Sequence, residues 1–147
     1  MAIERRAHAT WEGDLRSGSG RFDLVSSGTV RGQEMTFASR FEDEAGGKTS
    51  PEELIAAAEA TCFSMALANG LAEEGHPPTR LETDARVTLD NPGDGFGITK
   101  IELTVRAQVE GMDESEFHKA AEQAQRNCPV SKALAAVPEI TLDASLT

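Results

Sequence analysis

Strands, a long helix, two strands, a second helix and a closing strand follow one another along the 147 residues, predicting an α+β fold with a curved antiparallel β-sheet wrapped over two central helices. Three observations carry this reading. Apolar residues alternate with polar ones in several short runs, a cap signal at Ser50 opens a long apolar helix, and a second cap signal at Asp113 opens an amphipathic one.

The first forty residues read as a meander: Ala7, Ala9 and Trp11 on one face, then Phe22 and Leu24, then Met35 and Phe37, with turn residues between. Residues 41–50, rich in charge and glycine, offer no face to bury and form a loop. Ser50 then precedes Pro51 at the first helical position, with Glu53 three residues on to complete a capping box. The helix should run to about Glu74, where Gly75 supplies a left-handed stop and Pro77-Pro78 prevents continuation. Between Leu54 and Ala72 its only charge is Glu59, so it should be enclosed by other elements.

Leu81, Thr83, Ala85, Val87 and Leu89, and then Ile101, Leu103, Val105, Ala107 and Val109, alternate as the arms of a hairpin joined through the glycines of 91–97. Asp113 and Glu116 cap the second helix, whose stripe is Phe117, Ala120, Ala121 and Ala124, continued by Cys128. Pro129 ends it and can begin a short third helix through about Ala136. Ile140, Leu142, Ala144 and Leu146 form the last strand. No repeat or second domain is evident, so residues 1–147 are read as one domain.

Twenty-five acidic against fourteen basic residues give a charge of −11, which opposes phosphate backbones and anionic lipid; neither a nucleic-acid nor a membrane partner is expected. The segment 1–6 has no uninterrupted apolar stretch to act as a secretory signal, and the chain is expected to be cytoplasmic. In that compartment a pair of cysteines is a poor structural disulfide, and His8, His76 and His118 have no ligand-like spacing. No metal or cofactor is expected.

Cys62 sits in the middle of the apolar helix. A buried thiol is normally inert because burial raises its pKa, so a reactive Cys62 needs a positive neighbour. Arg40, just before the loop that feeds the helix, is the candidate, and Glu52 is freer than Glu53 to orient it. Cys128 lies near the N-cap of the helix that begins at Pro129, where a thiolate is stabilised. Glu52 and Cys62 are ten residues apart, about 15 Å along a continuous helix, too far for direct contact. Either a second subunit's helix or the long Arg40 side chain has to bridge that gap. Phe63, Met65 and Leu67 could line an organic pocket or could be plain core.

Residues 50–67 (SPEELIAAAEATCFSMAL), 95–101 (GFGITKI) and 127–134 (NCPVSKAL) resemble the OsmC/Ohr family of osmotically inducible and organic hydroperoxide resistance proteins, from Trp11 to the end of the chain. The resemblance favours the OsmC branch, because the arginine stands in Ser39-Arg40-Phe41. It implies an intertwined homodimer with a peroxidatic Cys62, a resolving Cys128 and an Arg40–Glu52 pair. It also implies reduction of organic hydroperoxides to alcohols, through a Cys62 sulfenic acid and a Cys62–Cys128 disulfide, in oxidative and osmotic stress defence. Recycling is then expected from a dithiol such as a lipoyl-bearing protein. The competing readings are a non-enzymatic, stress-induced binding protein with structural cysteines, and a thiol hydrolase, which needs a histidine base near Cys62.

Overall fold

The computed structural model describes residues 1–43 and 46–147; the centre of the expected 41–50 loop lies outside the described residues. The elements are β1 (Ala7–Glu12), β2 (Ser19–Leu24), β3 (Gln33–Thr36), α1 (Phe37–Phe41), α2 (Pro51–Glu73), β4 (Arg80–Asp90), β5 (Gly97–Gln108), α3 (Glu114–Asn127), α4 (Pro129–Ala133) and β6 (Glu139–Leu146). The chain divides into two compact units, Met1–Leu54 and Ile55–Thr147. The α+β class stands, with the strands in two three-stranded sheets, ordered β1-β2-β3 and β4-β5-β6.

In the first unit the three strands pair antiparallel, and Trp11 faces Gly20. The indole lies so close that a Cβ on residue 20 would come within 2.5 Å of the Trp11 ring, which is why only glycine fits there. The indole N–H donates to the Gly13 carbonyl at 3.1 Å. One expectation fails in this unit: Phe37 belongs to a helical turn and not to a strand. Thr36 caps that turn by accepting the Ser39 N–H at 3.2 Å, and the Ser39 hydroxyl accepts the Thr36 N–H at 2.9 Å. This reciprocal cap satisfies donors that a strand partner would otherwise take.

Helix α2 begins as its sequence dictates, with Ser50 Oγ accepting the Glu53 N–H at 3.1 Å. The Glu53 carboxylate takes the Thr49 hydroxyl at 2.8 Å, so only half of the expected box is described. At the far end Gly75 adopts φ 86°, and the His76 N–H reaches back to the Leu71 carbonyl at 2.8 Å. The helix is not enclosed on all sides as its composition suggested. Its buried stripe repeats every fourth residue, at Glu59, Phe63, Leu67 and Leu71, while Met65 is 73% exposed.

In the second unit β4 and β5 form the expected hairpin, pairing Leu81 with Ala107, Ala85 with Leu103 and Val87 with Ile101. Asn91 Oδ1 closes the connection by accepting the N–H groups of Gly93 and Gly95. The sheet is not wholly antiparallel: β6 runs parallel to β5, with Leu103 opposite Leu142 and Val105 opposite Ala144. The physical reason is the connection. A strand reached through α3 and α4 crosses over before returning, and a crossover delivers a parallel neighbour. Asp113 and Glu116 form the capping box of α3. Phe117, Ala121 and Ala124 carry the α3 stripe into a core with Phe63, Leu67, Leu103 and Val105. Full burial of Phe63 and Phe117 contributes about 3 kcal/mol each, the largest single terms in this core.

Candidate functional site

The chemistry-bearing residues form two groups, one within each unit. In the first unit Arg40 projects from the last turn of α1, and Glu52 occupies the first turn of α2. The structure brings these two together: Arg40 Nε and Nη2 both donate to Glu52 Oε1, at 3.2 and 2.9 Å. The pairing is lopsided. The Arg40 side chain keeps 40% of its exposure and that of Glu52 only 9%, while Glu52 Oε2 is buried without a hydrogen-bond partner among the described residues. The guanidinium also lies over the Phe41 ring, 5.2 Å from its centroid. Beside it opens an apolar cleft of about 300 Å³, walled by Trp11, Leu15, Met35, Phe37 and Phe41 and rimmed by Arg40. Phe37 and Phe41, one turn apart on α1, supply its aromatic wall, with ring centroids 4.9 Å apart. Sequence reasoning missed this cleft. Reading Phe37 as strand separated two rings that a helical turn puts on one side, and the signal that could have revealed the turn is the Thr36 and Ser39 spacing.

The second unit holds both cysteines, sixty-six residues apart in sequence. Cys62 is half-buried in α2, and Cys128 is fully buried at the corner between α3 and α4, where it is the C-cap of one and the N-cap of the other. Both are free thiols, and they are neighbours: Cys62 packs against the core cluster that contains Cys128. Burial and the neighbouring Cys128 side chain push the Cys62 thiol up, and the Glu59 charge adds to this. The Val130 backbone works in the opposite direction. The Ser131 N–H donates to Cys128 Sγ at 3.4 Å.

Two further residues that sequence reasoning did not single out as functional complete this cluster. Glu59, 1% exposed and one turn before Cys62, accepts the Ser131 hydroxyl, while its second oxygen has no partner among the described residues. The signal was present, since Glu59 is the lone charge in an apolar helix and stands three residues from a cysteine. Phe63 and Leu67 are buried core residues and Met65 points to the exposed side of α2, so these three do not make a pocket. The histidines lie elsewhere: His8 is exposed on β1, His76 bonds the Glu110 carbonyl at 3.0 Å, and His118 is 3.5 Å from Glu122. Among the described residues no histidine is bonded to either cysteine, which leaves the hydrolase reading without a base.

This thiol pair can be compared with known proteins. The description "OsmC-like protein" belongs to the family whose sequence pattern matches residues 43–143. Peroxiredoxin OsmC of Escherichia coli is 47% identical over 146 residues, 99% of each chain. The organic hydroperoxide resistance protein of Xanthomonas axonopodis pv. citri is 32% identical over 137 residues, 92% of this chain and 91% of that one. Among solved structures, the organic hydroperoxide resistance protein OhrB of Bacillus subtilis superposes with a TM-score of 0.68 at 25% identity, over 97% of this chain and 98% of the other. With a full-length match that is closer to an OsmC than to the Ohr relative, the chain belongs to the OsmC-like family, on its OsmC branch.

Proposed function

We propose that the chain is a cysteine peroxidase that reduces organic hydroperoxides to alcohols, with Cys62 as the peroxidatic thiol and Cys128 as the resolving one. The observation that carries this reading is that Cys62 packs against the cluster holding Cys128, so two free thiols from elements far apart in sequence are neighbours. Packing alone gives no reason for two cysteines to be brought together, whereas disulfide closure requires it. The names peroxiredoxin and organic hydroperoxide resistance protein, borne by the relatives, accord with this chemistry.

The Cys62 thiolate attacks one peroxide oxygen, the O–O bond breaks, and the departing alkoxide takes a proton to become an alcohol. Sulfur is oxidised to the sulfenic acid. Cys128 then attacks that sulfur, the S–O bond breaks, and hydroxide leaves with the thiol proton as water. A dithiol, such as a lipoyl group on a partner protein, returns both sulfurs to thiols by exchange. Because burial holds the Cys62 proton, the first step needs a cation, and Arg40 held by Glu52 is the residue proposed to supply it. The apolar cleft that Arg40 rims accords with an organic substituent on the peroxide.

The working form in this reading is a cytoplasmic homodimer in which residues 1–147 act as one domain. A single chain leaves β1, Trp11, Leu15 and Met65 exposed, apolar surface that a second copy could cover. Two measurements test the reading. The Cys62→Ser variant should lose consumption of cumene hydroperoxide with a dithiol reductant, and retained turnover would remove the mechanism. Sedimentation at assay concentration should give twice the chain mass; a fully active monomer would exclude a need for the dimer.

A further inference from the structure

We propose that Glu59 is a positioning residue for disulfide closure: through Ser131 its carboxylate clamps the first turn of α4, and with it Cys128, against α2 beside Cys62. Such a clamp presupposes the cysteine-peroxidase reading given above.

Glu59 is 1% exposed in the apolar stripe of α2, one turn before Phe63 and in line with Leu67 and Leu71. A carboxylate in that setting normally has a cation or several donors around it. Here Oε1 has the Ser131 hydroxyl, Oε2 is buried without a partner, and no ion pair to Glu59 is found among the described residues. A leucine would pack there at lower cost, so the acid needs a reason other than stability.

The reason lies in what Ser131 holds. Ser131 is the third residue of α4; its N–H bonds Cys128 Sγ, its O–H bonds Glu59, and the adjacent Val130 packs against the same core cluster as Cys62. Residues 128–131 are thereby tied to α2 through the Glu59–Ser131 bond, a polar contact beside an apolar core. When the disulfide closes, the sulfurs must approach to about 2.05 Å with a defined torsion. As Cys128 moves toward Cys62, its bond to the Ser131 N–H is at risk, and the Glu59–Ser131 bond is what keeps that turn in place. In the step served, the Cys62 S–OH bond breaks, the S–S bond forms, and the Cys128 proton leaves with hydroxide as water; the hydroperoxide has already supplied the oxidising equivalents.

The test uses the reduced full-length chain and the variants Glu59→Ala, Glu59→Gln and Ser131→Ala, each mixed with one equivalent of cumene hydroperoxide. Hydroperoxide loss reports the first step. Loss of the second thiol, with dimedone trapping of Cys62 sulfenic acid, reports closure. In Glu59→Ala and Ser131→Ala the first step should be no slower than in the parent chain, while closure slows roughly 10- to 100-fold and trapped sulfenic acid accumulates. Glu59→Gln keeps an oxygen acceptor for Ser131 and should close within about threefold of the parent. A general loosening of the fold would slow both steps alike. Closure at the parent rate in Ser131→Ala, or closure in Glu59→Gln as slow as in Glu59→Ala, overturns the clamp. If Glu59→Ala does not fold, Ser131→Ala and Glu59→Gln decide. A parent chain inert to hydroperoxide defeats the peroxidase reading instead, and diamide-driven closure of the same variants still reports on the clamp.

Discussion

On the proposed mechanism, replacing Cys128 with serine separates the two half-reactions, and its effect can be worked through from the structure. The side chain is fully buried, and its sulfur accepts the Ser131 N–H at 3.4 Å as the cap of α4. A serine hydroxyl is a good cap acceptor, so the start of α4 keeps its partner. Placing a hydroxyl against an apolar core that includes Ala124 and Phe117 costs about 2 kcal/mol. For a chain of this size that is a fall in Tm of about 4–8 °C, small enough to leave the variant folded at room temperature. Burial pushes the Cys62 thiol up first, and the Cys128 side chain adds to it; without that thiol the proton on Cys62 should come off at lower pH than in the parent. Attack on peroxide is then not slowed at neutral pH, but resolution is lost. One equivalent of cumene hydroperoxide should remove two thiols per parent chain and one per variant chain, with dimedone labelling Cys62 only in the variant. A variant without dimedone-reactive Cys62, or one whose Cys62 titrates higher than in the parent, would refute the reasoning.

Arg40→Ala should lower kcat/KM for organic hydroperoxide by roughly 10²- to 10³-fold, as loss of a preorganised charge does, and Glu52→Gln by about tenfold; an Arg40→Ala rate within twofold of the parent takes the guanidinium out of the chemistry. In Arg40→Ala, alkylation of reduced Cys62 by iodoacetamide should accelerate about tenfold per pH unit from neutral pH upward, since burial unopposed by the cation leaves little thiolate at pH 7; a rate already flat at neutral pH in that variant contradicts the burial effect. Phe117→Ala empties a fully buried ring position and should cost about 3–5 kcal/mol, read from the urea midpoint at constant slope. Gly18→Ala would set a Cβ 2.3 Å from the Glu12 carbonyl oxygen and 2.4 Å from that of Asp14, so the turn between β1 and β2 must shift, at about 1–3 kcal/mol by thermal melting.

Much of the second unit was legible because its signals are local. The cap of α3, the Gly75 stop of α2 and the period-2 runs of β4 and β5 each lie within a few residues of what they specify. The parallel setting of β6 was not legible from alternation, which is the same in either direction; the helical segment between β5 and β6 carried that information instead. Composition made α2 look buried all round, yet only the stripe through Glu59, Phe63 and Leu67 is covered in one chain. Cys62 and Cys128 could be picked out as candidates, but their meeting depends on how α4 packs on α2, which no spacing encodes. Glu59 was visible as an interruption of hydrophobicity, and its partner Ser131 could not be known without the tertiary fold.

The direction of β6 has a consequence for how a reductant could reach the second sulfur. Because β5 and β6 run the same way, everything from residue 109 to 138 is a strap fastened at both ends to one sheet, and Cys128 rides on it. The β4–β5 ladder is formed by a hairpin that this strap does not interrupt. Any opening that exposes the sulfur has to draw Phe117, Ala121 and Ala124 out of the core they share with β5, while the β4–β5 ladder itself can stay paired. Amide exchange should register this as faster deuteration across α3 and α4 than along β5.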